Sequence, residues 1–411
     1  MRMKLGAVAK RVLRPPEVRG ANRVAVLLLL QQNDYMSRAD VARQSGLSEG
    51  AISRIVTDLM GEGLVREDGA ENSTGGRPGR RLTLEPRRVL LGAEIQNWET
   101  RCAVSTMQGR IVRTHRFRTP ATAEETLEQV AEAFIAFGNE LGEDRLAGVG
   151  ICARGIVNSD TGVLVLGSRP EWHDVPVRKF LEARLGEPVM VENNVRAAAL
   201  AEFTYGSADV TGRRCFLFVK VDEGVGMGIL LDGKLYPGPH MAAGEFGQTV
   251  IDDIASPERH DRPGCLERLV SNPVVCKRHA DLSGNKRQAS SGDTSARVRR
   301  IAALAMGGDA VSWQIVEEVS RHLGIGISNM VWALDADAVV VDAAITEAWG
   351  QVEPILRKQL PDDRELLGGR GLLLRPSAFG GEAALIGAAT LPLTRIFAGL
   401  SPLRVPAGPA K

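Results

Sequence analysis

SRADVARQSGLSEGAISRIVTDLM, residues 37–60, decides the first part of the fold. Two short amphipathic segments meet at Ser45-Gly46-Leu47. The second opens on Ser48, whose hydroxyl is suited to satisfy an orphan backbone N–H at a helix start. Ile52, Ile55, Val56 and Leu59 recur at helical spacing and form one apolar stripe. Glu49, Gly50, Ser53, Arg54 and Thr57 fall on the opposite face. One face for packing and one polar face for a groove is the layout of a helix-turn-helix. A plain helical hairpin would share the stripe but not the flanks. An apolar helix is predicted before it, over about Arg23 to Gln31. After it, Gly63–Glu67 and Arg80–Leu84 read as two strands around a polar, glycine-rich loop, GAENSTGGRPG at 69–79, which makes a wing. Arg77 at the wing tip suits a narrow minor groove, and a plain solvated loop fits the composition equally.

Charge agrees with a head that meets nucleic acid. The chain of 411 residues carries a net charge of +1. Residues 1–90 hold 16 Lys/Arg against 10 Asp/Glu, a balance of +6, so the remainder carries −5. A basic head attracts phosphate without regard to sequence. The start, MRMKLGAVAKRVLRPP, has its apolar stretch broken by Lys10 and Arg11, unlike a signal peptide. No apolar run approaches a membrane span. Five scattered cysteines, an odd number, fit reduced thiols in a cytoplasm better than a disulfide framework. The expected organisation is a basic arm (1–20), a winged helix-turn-helix (21–87, wing and linker 68–81) and a body (88–400) with a cleft near 192–267.

In the body, Leu90–Gln96, Thr100–Ser105 and Arg110–Phe117 read as strands, with a turn at Met107-Gln108-Gly109. A helix is expected over Ala123–Leu141 and an apolar strand over Leu146–Cys152. Cys215–Val221 and Met227–Leu231 are strands again, and helices dominate from Val311 to Leu334 before a buried strand at Ala338–Val341. A recurring β-β-β-α-β order implies two α/β lobes facing a cleft. Ser283–Ser295 lacks periodicity and reads as a mobile loop.

Five motifs then coincide: ENNVRAAALAEFTYG (192–206), DGKLYPG (232–238), AGEFG (243–247), GCLE (264–267) and GEAALIGAA (381–389). With them, the chain resembles the ROK family (repressor, open reading frame, kinase), in particular its sugar-responsive repressors. The resemblance covers nearly the whole chain. It implies a two-lobed, actin-like sugar-kinase fold behind the DNA-binding head.

The resemblance also allows a test of kinase chemistry. The family's first phosphate turn, Asp-x-Gly-Gly-Thr, becomes Glu94-Ile95-Gln96-Asn97-Trp98. Side chains there block the close approach of phosphate to backbone that glycine permits. The second phosphate loop carries Asp222 and Glu223, which repel phosphate. The adenosine-side glycines are replaced in Asp342-Ala343-Ala344. The family's Glu-Asn-Asp, whose Asp is the general base, becomes Glu192-Asn193-Asn194. An amide hydrogen-bonds but has no useful basicity. The resemblance thus implies an inactive kinase, with no cofactor expected.

By the same resemblance, Asn193, Asn194, Glu245 and Glu267 match sugar-contacting positions, and Gln248, which replaces a histidine, is expected to bond a sugar hydroxyl as well. Arg154 is expected to pair with a surface carboxylate. Trp172 either stacks on a sugar or packs against the following helix. The family's zinc ligands map to Gln248, Glu258, His260 and Cys265, of which only the last three suit a metal, so metal loss is expected and Cys265 becomes a small buried residue.

The expected DNA contacts are Arg38, Ser48, Glu49, Gly50, Ser53, Arg54, Thr57, Arg77 and Arg80. The expected partners are a double-stranded operator, a sugar or sugar derivative, and further copies of the chain as a dimer or tetramer. Control by a protein partner, and an active kinase with a DNA-binding head, are the alternative readings.

Overall fold

The computed structural model describes residues 15–70, 80–141, 145–167, 169, 171–207, 209–210, 212–252, 264–284, 293–361 and 371–397. The head begins with α1 (Pro15–Gln32), which takes in the end of the expected arm. Then come β1 (Met36–Ser37), α2 (Arg38–Ser45) and α3 (Glu49–Gly61). Two caps fix the helix starts. Ser37 Oγ accepts from the Asp40 N–H, and Ser48 Oγ accepts from the Ala51 N–H. Gly46 ends α2 in the left-handed region, at φ 72°, where glycine meets no Cβ penalty. β2 (Val65–Ala70) and β3 (Arg80–Leu84) pair antiparallel as the wing, and β1 joins β3 on its other side.

The first lobe holds β4 (Val89–Ile95), β5 (Glu99–Thr106), β6 (Ile111–Arg118), α4 (Ala123–Leu141) and β7 (Leu146–Ala153). A small antiparallel sheet follows: β8 (Gly155–Asn158), β9 (Val163–Gly167) and β10 (His173–Val175). α5 (Val177–Leu185), β11 (Val189–Asn193) and α6 (Asn194–Tyr205) complete the lobe, whose main sheet runs β11-β7-β4-β5-β6.

The second lobe contains β12 (Cys215–Val221), β13 (Val225–Leu231) and β14 (Lys234–Leu235). Its helices are α7 (Leu266–Val270), α8 (Asn272–Leu282), α9 (Thr294–Met306) and α10 (Ala310–Leu334). β15 (Ala338–Ala343), α11 (Trp349–Arg357), β16 (Leu373–Pro376) and α12 (Ala383–Phe397) follow. The second sheet runs β14-β13-β12-β15-β16. The repeated sheet order is that of a two-lobed, actin-like sugar-kinase fold.

α6 and α12 join the lobes through small residues. Ala197, Ala198, Ala199, Ala383, Ala384 and Ala388 share one buried cluster. A Cβ on Gly387 would overlap the Ala197 carbonyl oxygen, so only glycine permits this crossing. The far end of α12 enters the head: Leu393, Ile396 and Phe397 share a core with Val26, Leu27, Leu30, Ile52, Val56 and Leu59. The head is therefore docked on the body and not merely tethered to it. Arg23 pairs with Glu62 and donates to the Phe397 carbonyl at 3.2 Å, placing a cation at the C-terminus of α12.

Candidate effector cleft and nucleic-acid face

In the head, Ile52, Val56 and Leu59 are fully buried, while Glu49, Gly50, Ser53, Arg54 and Thr57 are exposed. Ser48 acts as the cap of α3 and stays exposed. Thr57 Oγ1 donates to the Ser53 carbonyl at 2.8 Å, so its hydroxyl proton is directed into its own helix. Arg38 donates to Glu67 at 2.9 Å and ties α2 to the wing. Arg80 opens β3. Arg77 lies outside the described residues.

The cleft between the lobes is a cavity of about 160 Å³. Gln96, Arg154, Asn193, Asn194, Arg196 and Gly155 line one side, and Lys220, Asp222, Val225, Glu245 and Glu267 the other. Asn193 caps α6: its Oδ1 accepts from Val195 N at 2.8 Å and Arg196 N at 3.1 Å, and its Nδ2 donates to the Gly155 carbonyl. Asn194 is only 8% exposed, and its side chain has no hydrogen-bond partner among the described residues. Its amide is a polar group in the cleft with unmet capacity.

Glu267 accepts the Val225 N–H at 2.9 Å. Glu245 is solvent-exposed by area but stands inside the cleft. Partial burial and then the Glu267 carboxylate push its carboxyl above the usual range, against a smaller pull from Arg196. Arg196 is itself engaged by Glu192 at 2.6 Å and by the Met241 and Val157 carbonyls. Gln248 is exposed and does not line the cleft.

Sequence reasoning missed a second polar cluster. Lys220 Nζ lies 2.8 Å from Asp342 Oδ2, and both side chains are 11% exposed. Burial alone would lower the pKa of Lys220, yet Asp342, Glu94 and Asp222 raise it above its ordinary value. An internal ammonium thus sits among three carboxylates. Glu94 is buried, pairs with Arg101, and accepts from Gln96 Nε2 at 2.6 Å. Asp222 accepts from Ser295 Oγ at 2.7 Å and Asn272 Nδ2 at 3.1 Å. Nothing periodic signals this grouping, whose members lie on β4, β12, β15 and a loop.

Arg154 does pair with a carboxylate, but with Glu223 of the opposite lobe at 3.1 Å. Of the two readings of Trp172, packing holds. The side chain is 6% exposed in the first-lobe core, donates to the Ala121 carbonyl at 2.9 Å and does not line the cleft.

Cys265 is buried at the start of α7, whereas His260 and Glu258 lie outside the described residues. Among the described residues no group of three or more His, Cys, Asp or Glu side chains is placed to hold a metal ion. Most of the expected loop, residues 285–292, also lies outside them, and α9 begins at Thr294. Among the described residues no helix is long and apolar enough to cross a membrane.

The ROK family profile matches residues 91–395, and a winged helix-turn-helix DNA-binding profile matches residues 21–66. The chain is 24% identical over 337 residues to the DNA-binding transcriptional dual regulator NagC of Escherichia coli K12, covering 80% of this chain and 82% of that protein. It is 28% identical over 342 residues to a putative xylose repressor of Caldicellulosiruptor, covering 79% and 83%. A crystal structure of a ROK family transcriptional regulator, a homolog of the E. coli MLC protein, superposes with a TM-score of 0.75 at 22% identity, covering 93% of this chain and 98% of that one. A ROK hexokinase from Thermus thermophilus superposes with a TM-score of 0.61 at 26% identity, covering 75% and 99%.

Proposed function

The chain belongs to the ROK family, and we propose from that premise that it is a DNA-binding transcriptional repressor whose body senses a sugar and transfers no phosphate. The observation that carries the reading is the pairing of two sites in one docked unit. An exposed polar face on α3 is supported by the same core that receives α12, and the cleft floor presents the unpartnered amide of Asn194.

α3 enters the major groove, with Glu49, Ser53 and Arg54 nearest the bases. Arg77 and Arg80 follow the backbone or minor groove from the wing. The body assembles as a dimer or dimer of dimers and sets two heads on a two-fold operator. Asn194, Glu245 and Glu267 offer amide and carboxylate partners for sugar hydroxyls, an arrangement suited to polar ligand recognition. Asn193 contributes by holding the start of α6.

Absence of phosphotransfer rests on two groups. Asn194 accepts no proton near neutral pH. Lys220 is already paired with Asp342 and stands in the field of Glu94 and Asp222, so an ammonium occupies ground that a nucleotide's cation would need. The regulator acts where DNA is, in the cytoplasm, and the effector changes operator affinity through its differential affinity for two states of the protein.

The test is thermal unfolding against sugars, amino sugars and sugar phosphates, each with and without Mg-ATP. A ligand of the folded state raises the melting temperature by mass action. A shift with one sugar class, none from Mg-ATP, and an altered operator gel shift with that same sugar are expected. No shift from any sugar would overturn sugar sensing, and sugar-dependent ADP formation would overturn the non-catalytic reading.

A further inference from the structure

The mouth of the cleft is crossed by one carboxylate. Glu223, in the β12–β13 loop of the second lobe, accepts three side-chain donors from the first lobe. Asn97 Nδ2 lies 3.1 Å from Oε2, Trp98 Nε1 lies 3.1 Å from Oε1, and Arg154 Nη1 lies 3.1 Å from Oε2. The three donors come from two loops, β4–β5 and β7–β8, so the contact is between lobes and not within one.

Both sides are prepared for it. The 96–98 loop is braced by the Thr119 N–H on the Trp98 carbonyl and by Arg169 on the Asn97 carbonyl. On the other side, a Cβ at Gly224 would lie 2.7 Å from the Arg154 guanidinium and 2.9 Å from the Glu267 carboxylate, so a bare backbone lets Arg154 reach across. The Asp222 N–H bonds back to the Gly224 carbonyl at 2.9 Å and fixes the turn that presents Glu223. A surface ion pair would not recruit an indole and an amide to the same two oxygens. Elsewhere the lobes are joined by the buried small residues of α6 and α12.

We propose that Glu223 is a latch: its bonds across the cleft mouth set the balance between closed and open lobes, and so the apparent affinity for whatever enters the cleft. The proposal takes from the functional reading only that the effector binds in this cleft. Closure itself is measured on the protein alone, so the two can fail separately. In an open state the three donors and the carboxylate return to water. The latch bonds are half-exposed, and a shift of about tenfold in the closed-to-open ratio is the expected scale.

The experiment compares the full-length protein with Glu223→Ala, Glu223→Gln and Trp98→Phe by amide hydrogen exchange and small-angle scattering, without ligand. Exchange in the 95–99 and 221–226 segments should rise about tenfold in Glu223→Ala, with a larger radius of gyration. Glu223→Gln, which keeps one acceptor oxygen, should fall between, and Trp98→Phe should show the smallest rise. Unchanged exchange and radius in a folded Glu223→Ala would overturn the latch. If that variant does not fold, unchanged exchange in both of the other two overturns it. Open lobes in Glu223→Ala with no sugar bound by any variant would leave the latch standing and remove the sugar sensor.

Discussion

Asn194→Asp restores a carboxyl at the position where the kinases of this family keep their base, and its surroundings decide how that carboxyl behaves. Asn194 is 8% exposed and faces a cleft that already holds Glu245 and Glu267. Of the two guanidiniums that line the cleft, Arg196 is engaged by Glu192 and two carbonyls, and Arg154 by Glu223. Burial and like charge both push the introduced carboxyl's pKa up. The α6 N-terminus opposes this by about 0.3–1 kcal/mol. A rise of about two units is worth roughly 2.7 kcal/mol, leaving a net loss of about 2 kcal/mol when the group must ionise. The folded-state pKa is the raised one, so the loss is absent well below the unfolded carboxyl range and complete above the raised value. Denaturant titrations should therefore show wild type and variant nearly equal at about pH 3 and about 2 kcal/mol apart at about pH 8. A coupled ADP assay should read no turnover, because Lys220 stays paired with Asp342 and Glu223 with Arg154 when this one carboxyl is restored. A pH-independent stability difference would refute the electrostatic argument, and sugar-dependent ADP release would refute the inactive-kinase argument.

Three further changes separate binding from stability. Arg54→Ala, at an exposed site, should leave unfolding within about 0.5 kcal/mol of wild type while weakening operator binding roughly 10- to 100-fold in a fluorescence titration; equal affinity would remove Arg54 from the interface. Gly387→Ala forces a methyl onto the Ala197 carbonyl and should destabilise by about 3 kcal/mol in urea, with both lobes affected. Tyr205→Phe removes one hydroxyl from the buried joint with Gln31 and Met107, yet Gln31 Nε2 keeps the Met107 carbonyl at 3.1 Å, so calorimetry should find a loss of only about 1 kcal/mol.

How far each part is legible in the sequence depends on the range of the forces that make it. The α2–α3 unit is legible because caps and a 3.6-residue stripe are local: Ser48, Ile52, Val56 and Leu59 do in the structure what their spacing implies. Its neighbour α1 reads too short, since Pro15 at its start is a permitted first-turn residue that resembles a boundary. The lobes are legible through strand runs and motifs, including β12 as anticipated, Cys215–Val221. By resemblance 222–228 maps to the family's second phosphate loop, but Val225–Gly228 belong to β13, and a Cβ on Gly228 would overlap that of Ala199 in α6. Asn97, Trp98, Arg154 and Glu223 belong to three loops, and no periodicity marks a contact made only when two lobes meet. The docking of α12 into the head is equally silent, because Leu393, Ile396 and Phe397 look the same whether they close their own domain or another.

α6 connects the cleft to what holds the head. Its first residue, Asn194, lines the cleft, and its last, Tyr205, bonds Gln31 of α1 at 3.0 Å. Twelve residues separate the two environments by about 18 Å at roughly 1.5 Å per residue. Between them, Ala197, Ala198 and Ala199 pack against α12 and the second sheet with no side-chain slack. Close-packed small residues transmit displacement better than they absorb it. An effector that shifts the start of α6 therefore acts on α1 through the Tyr205–Gln31–Met107 joint, and by linkage the operator acts back on the cleft with the same factor. Calorimetric titration of the sugar identified by thermal shift, with and without saturating operator, should return affinities differing by the same ratio as operator affinities measured with and without that sugar. In Tyr205→Phe both ratios should move toward one together. Unequal ratios in the wild type would show that the two measurements do not share one equilibrium, and unchanged ratios in Tyr205→Phe would place the coupling elsewhere in the shared head–body core.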